Sequence, residues 1–215
     1  MDHTRNFLSL GPGDALIVVD VQNDFLPGGA LGVSGGDQLL PVLNDYLRRF
    51  TQQGLPVFVT RDWHPRGHCS FRASGGPWPI HCVAGTPGAD FSRQLALPAA
   101  APIISKATDI DKEAYSAFAG TDLAERLRAS GVRRLFVGGL ATDYCVLETV
   151  KDALALGFAA VLLRDAVCAV DARPGDGDAA IVEMLAVGAR EIRLDDVRDE
   201  PGLVPARAHQ APGAG

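Results

Sequence analysis

Positive charge is in short supply in this chain: 20 Lys and Arg stand against 26 Asp and Glu, giving a formal charge of -6 and a pI near 5.3. No basic surface answers a phosphate backbone, so nucleic acid is not an expected partner. Long hydrophobic runs are missing as well. The best of them, Ala15–Val19 and Ala159–Leu163, fall far short of the roughly 18 apolar residues of a membrane span, so no membrane partner is expected either. Cysteine is sparse, with Cys69, Cys82, Cys145 and Cys168 spread over 215 residues and no secretory signal ahead of them. Free thiols in a reducing, cytoplasmic setting are the expectation. What is plentiful is apolar material: 47% of residues are hydrophobic against 21% charged, enough to bury one substantial core and too much for a disordered chain. We expect one domain over residues 1–204 and a flexible Pro/Gly/Ala-rich tail over 205–215.

Short apolar runs alternate with amphipathic stretches. The runs are 15–20, 56–62, 102–106, 133–139, 159–165 and 190–193, and their near-continuous hydrophobicity marks strands buried on both faces, hence a parallel sheet. Between the first two, Leu40, Leu43, Leu47 and Phe50 keep helical spacing up to Gly54, with Asp37 as the expected N-cap. Residues 123–129, 146–156 and 179–187 have similar character and stop at Gly131, Gly157 and Gly188. The alternation predicts an α/β doubly wound domain with a six-stranded, mainly parallel sheet and helices on both faces. Residues 63–101 break the rhythm, being rich in Pro, Gly, His and Trp. An insert of that length is expected to roof a functional site.

In an open parallel sheet the ligand crevice lies beyond the carboxyl ends of the strands, so the polar residues that end the apolar runs form one group in space. Here they are Asp20, then Asp62 with His64, then Lys106, and Cys145 in GGLATDYC. A thiol at the start of a helix, capped by Thr142 or Asp143, is expected to favour its thiolate, with Lys106 adding positive charge. Asp20 is placed to take the thiol proton and hand it to a leaving group, and backbone amides of the turn to hold an oxyanion, which suits acyl transfer. Asp62 and His64, two apart on an extended segment, share a face and with His81 and His68 make a His/carboxylate metal set. Two other readings stay open: a closed zinc knot of His68-Cys69 with His81-Cys82, and histidines that simply pair with carboxylates.

Taken together, DVQNDFLPGGALGVSGGD (20–37), RDWHPRGHCSF (61–71), WPIHCVAGTPGADF (78–91), SKATDIDKEAYSAF (105–118) and GGLATDYCV (138–146) resemble the nicotinamidase branch of the isochorismatase-like cysteine hydrolases, which includes bacterial pyrazinamidases. The resemblance implies a catalytic triad of Asp20, Lys106 and Cys145, and a metal site of Asp62, His64 and His81, with His68 or Ser70 as a further contact. It implies one divalent ion, zinc first and iron or manganese as alternatives. A cis peptide between Leu140 and Ala141 and an oxyanion hole of the Ala141 and Cys145 amides follow from the same likeness. Phe25, Trp78 and Tyr115 match positions that line the substrate ring. The implied reaction is hydrolysis of nicotinamide to nicotinate and ammonia, extending to pyrazinamide, with the metal anchoring the ring nitrogen; self-association stays open. The alternatives are another hydrolase of the superfamily acting on a different amide, carbamoyl or vinyl ether substrate, or a non-catalytic metal-binding module.

Overall fold

The computed structural model describes residues 7–199; the expected tail at 205–215 lies outside them. Six strands form the main sheet: β2 (Asp14–Val19), β3 (Val57–Asp62), β4 (Ile103–Lys106), β5 (Arg134–Leu140), β6 (Ala159–Cys168) and β7 (Arg190–Ile192). Their order is β4-β3-β2-β5-β6-β7 and every neighbouring pair is parallel. The chain therefore winds outward in both directions from β2 and β5, and the switch point between those strands is where a ligand crevice opens. A separate pair that the sequence did not announce, β1 (Leu8–Leu10) with β8 (Val197–Asp199), runs parallel and ties the two ends of the described chain together.

Strand β2 shows why its run has no polar interruption. Leu16 and Val18 face one core, with Leu43, Tyr46, Leu47 and Phe50 of helix α1 (Leu40–Gln52). Ala15, Ile17 and Val19 face the other, with Leu123 and Leu127 of α2 (Leu123–Ala129), Val150 and Ala153 of α3 (Leu147–Ala155) and Ile181 and Met184 of α4 (Asp176–Ala186). Burying each such large side chain contributes roughly 1.5–3 kcal/mol. Where β2 meets β5 the backbones come close: Gly139 has φ 125, and a Cβ there would sit 2.1 Å from the Val19 carbonyl oxygen. Only glycine lets β5 reach the switch point in this register.

Two expected caps are corrected. Asp37 lies inside a single 3-10 turn, Gly36–Leu39, that runs on into α1, and no side chain caps that helix. Pro41 stands in its first turn, where the missing N–H removes one of the donors a cap would serve. Neither Thr142 nor Asp143 caps the helix after β5. The chain enters it through a π-helical turn, Thr142–Val146, and Asp143 accepts the N–H groups of Val170 and Asp171 instead, at 2.9 Å each. Residues 63–101 hold only single turns, pinned by isolated bridges such as Gln22 with Phe91 and His64 with Val83.

Candidate active site

The carboxyl ends of β2, β3 and β4 and the turn after β5 converge on one buried cluster. Asp20, just past β2, has φ 49, a left-handed conformation that turns the chain out of the sheet. Its Oδ1 accepts the Thr60 hydroxyl at 2.6 Å, and its Oδ2 lies 3.0 Å from Lys106 Nζ. Lys106, the last residue of β4, also donates to Asp62 Oδ1 and to the Ala114 carbonyl at 3.0 Å, and reaches Cys145 Sγ at 3.5 Å. Its neighbour Ala107 is again a non-glycine residue at positive φ, 52. Backbone strain thus gathers where the chain leaves the sheet to build the site.

One ammonium serves two carboxylates, and their protonation differs. Burial opposes the charge on Lys106, yet Asp20 and Asp62 together hold it well above the ordinary lysine value. Burial also opposes ionisation of Asp62, and there Lys106 and His64 prevail, so Asp62 stays charged far below the usual carboxylate range. For Asp20, burial wins over Lys106, and the charge of Asp62 adds to the rise. Two carboxyls pushed apart in this way divide the work, leaving Asp20 as the one able to take up a proton.

Opposing influences act on the thiol. Burial drives Cys145 well above the ordinary cysteine value, Lys106 pulls it down, and Asp20 and Asp62 push it up again. Desolvation thus opposes the thiolate that the helix start and Lys106 favour. Lys106→Ala should therefore move the pH midpoint for iodoacetamide alkylation of Cys145 upward by about one unit or more. An unchanged profile would mean that the ammonium does not act on the thiol.

Beside this cluster, donor atoms of Asp62, His64 and His81 all lie within 4.8 Å of one another. Neither ring nitrogen of the buried His64 has a hydrogen-bond partner, and its Nε2 stands 3.5 Å from Asp62 Oδ2. A buried imidazole left this way costs free energy unless something else satisfies it, and a cation does. His81 Nδ1 donates to the Pro79 carbonyl at 2.8 Å, leaving Nε2 unprotonated with its lone pair available to a metal. Burial lowers the His81 pKa, which favours the neutral, ligating form. These residues fit a divalent ion. Gln22, fully buried, holds the Asp62 backbone: its Oε1 accepts the Asp62 N–H and its Nε2 donates to the Asp62 carbonyl, both at 2.8 Å. His68 packs against His64 with its ring tilted and the centroids 4.3 Å apart, but its Nδ1 pairs with Ser70 Oγ at 2.8 Å and its Nε2 with the Lys112 carbonyl at 3.0 Å.

The zinc-knot reading does not hold. Among the described residues neither Cys69 nor Cys82 joins a cluster of candidate donors, and Cys82 is buried in the apolar core. Cys69→Ser and Cys168→Ser should each retain bound metal and most turnover, as read by metal analysis and an activity assay on the same preparation.

The cluster opens into a cleft of about 430 Å³, its mouth included, at the small end of ligand sites. Cys145 and Ala141 line it, and the Leu140–Ala141 peptide is cis. Phe25, Trp78 and Tyr115 form walls, as expected, and the Trp78 indole N–H donates to Tyr115 Oη at 2.9 Å. Tyr144, which the sequence reading passed over, joins them with its ring 5.1 Å from Trp78. Its position directly before Cys145 was the available signal.

Residues 14–196 match the model of the isochorismatase domain. The chain belongs to the isochorismatase family. Within that family it is 42% identical over 166 residues to the nicotinamidase/pyrazinamidase of Mycobacterium tuberculosis, covering 74% of this chain and 88% of the relative. The pyrazinamidase of Pyrococcus horikoshii, solved in complex with zinc, superposes with a TM-score of 0.82 at 53% identity, over 85% of this chain and 99% of that one. PnC1 of L. infantum, solved in complex with nicotinate, gives a TM-score of 0.84 at 37% identity, over 90% and 100%. The isochorismatase-family chain described here thus shares the fold of amide hydrolases across nearly their full length.

Proposed function

We infer that this chain is a nicotinamidase, a cysteine amidohydrolase that converts nicotinamide to nicotinate and ammonia and accepts pyrazinamide as a ring analogue. The observation that carries this reading is the meeting of Cys145 with Lys106 and Asp20 where Cys145 lines a small aromatic cleft, beside the metal-type donors Asp62, His64 and His81, of which Asp62 and His81 also line it.

In this reading Asp20 takes the Cys145 proton as the sulfur attacks the carboxamide carbon, which is why a raised Asp20 pKa is useful. The amides of Ala141 and Cys145 hold the oxyanion of the tetrahedral intermediate. As the C–N bond breaks, Asp20 returns the proton to the departing ammonia. It then deprotonates water, which cleaves the thioester, releasing nicotinate and restoring the thiol. Lys106 keeps Asp20 oriented throughout and offsets its charge. Phe25, Trp78, Tyr115 and Tyr144 enclose the ring and exclude bulk water. Asp62, His64 and His81 would hold one divalent ion, zinc by the chemistry of the donor set, with iron or manganese as alternatives and His68 or Ser70 as a further contact. When bound, that ion supplies a Lewis-acid anchor for the ring nitrogen.

No helix among the described residues is long and apolar enough to cross a membrane, and four free cysteines fit a reducing cytoplasm. The test is ammonia release from nicotinamide by purified protein of measured metal content. Turnover that scales with one equivalent of metal is expected. Failure on nicotinamide by metal-loaded protein, with turnover of a carbamoyl compound instead, would overturn the assignment.

A further inference from the structure

Asp20 and Asp24 sit four residues apart in the segment that leaves β2, and the mechanism uses only the first. Asp24 is occupied by backbone N–H groups instead. Its Oδ2 accepts the N–H of Cys82 at 2.7 Å and its Oδ1 accepts that of Ala30 at 3.3 Å. Cys82 directly follows His81 and has φ 44, a left-handed conformation that a side-chain-bearing residue adopts only when its surroundings hold it there. The carboxylate also fits closely against Gly88, where an added Cβ would lie 2.2 Å from Asp24 Oδ2. No larger residue could stand at that position without displacing it.

His81 is thereby gripped from both sides. Ahead of it, the Pro79 carbonyl fixes the ring through Nδ1 at 2.8 Å. Behind it, the Asp24 carboxylate fixes the backbone that carries the ring. We propose that Asp24 is a positioning residue for metal binding, holding the strained peptide after His81 so that Nε2 stays within reach of Asp62 and His64. The proposal rests on the reading of Asp62, His64 and His81 as metal donors. Asp24 itself is no donor. Its contribution is geometric, so an uncharged side chain that keeps an acceptor oxygen in the same place should replace it.

The experiment uses the full chain, stripped by chelation and titrated with zinc against a chromophoric chelator, with the visible spectrum of the cobalt-loaded form recorded in parallel. D24A should weaken zinc affinity about tenfold or more, the scale seen when groups orienting a metal ligand are removed, and should alter the cobalt spectrum. D24N should stay within about threefold of the parent in affinity and reproduce its spectrum. Iodoacetamide labelling of Cys145 in the metal-free variants reports whether the neighbouring centre is intact. Parental affinity and spectrum in D24A would overturn the proposal, as would D24N failing as badly as D24A, since charge rather than position would then matter. A parent chain that binds neither metal would instead overturn the metal-site reading itself.

Discussion

Cys145→Ala should release no measurable ammonia from nicotinamide, a loss of at least about 10⁴-fold, while folding as the parent does. The size follows from the chemistry: without the sulfur no thioester forms, and removing a nucleophile typically costs several orders of magnitude in kcat. The fold should survive because the deletion is one atom. Lys106 keeps Asp20, Asp62 and the Ala114 carbonyl as partners when Sγ is gone. A stability change within about 1 kcal/mol is expected, read by denaturant unfolding. Calorimetry should still detect nicotinamide binding, since the aromatic walls and metal donors are untouched. Ammonia release near the parental rate by this variant would remove Cys145 from the mechanism.

Metal removal should produce the second large effect, with a different signature. Chelation, or His64→Ala, should lower nicotinamide turnover by about 10²-fold or more and weaken nicotinamide binding, because a ring that is no longer anchored presents its carboxamide out of line. Benzamide has the amide but not the ring nitrogen, and should already be a poor substrate of the intact enzyme. Iodoacetamide, which needs only the sulfur, should still label Cys145 in the metal-free protein, since the sulfur's near cation is Lys106 at 3.5 Å. If chelation left nicotinamide binding unchanged and an acyl-enzyme accumulated, detectable by mass spectrometry, the anchoring role would be replaced by one in thioester hydrolysis.

The central strands of the sheet were legible because they are buried on both faces, so burial itself wrote the apolar runs that give β2 and β5 away. The converging ends followed from that frame: Asp20, Asp62 and Lys106 terminate their strands in sequence and meet in space. What escaped has physical reasons. Strands β1 and β8 have three residues each, too few to carry a period. The π-helical turn around Cys145 depends on how β5 delivers the chain, and Asp143 was drawn to the backbone at 170–171 by a contact distant in sequence. Gln22 and Asp24 look like ordinary loop residues, since their partners, the peptides of Asp62 and Cys82, leave no mark on the sequence around them. The opposition of burial to the Cys145 thiolate escaped as well, because helix-start reasoning contains no measure of burial.

The cluster is stitched from segments far apart along the chain: 40 residues separate Asp20 from Thr60, 44 separate Asp62 from Lys106, and 39 separate Lys106 from Cys145. A ribosome delivers them in that order, and domains take shape as units while contacts of long span form slowly. Strands β2, β3 and β4, with the two carboxylates and the ammonium that joins them, are all synthesised before β5 exists to close the other edge of β2. The nascent chain therefore carries the means of binding and proton transfer without the sulfur they serve. The sulfur arrives only with the turn after β5, so a product truncated before Cys145 would hold the carboxylates and the ammonium with no nucleophile between them.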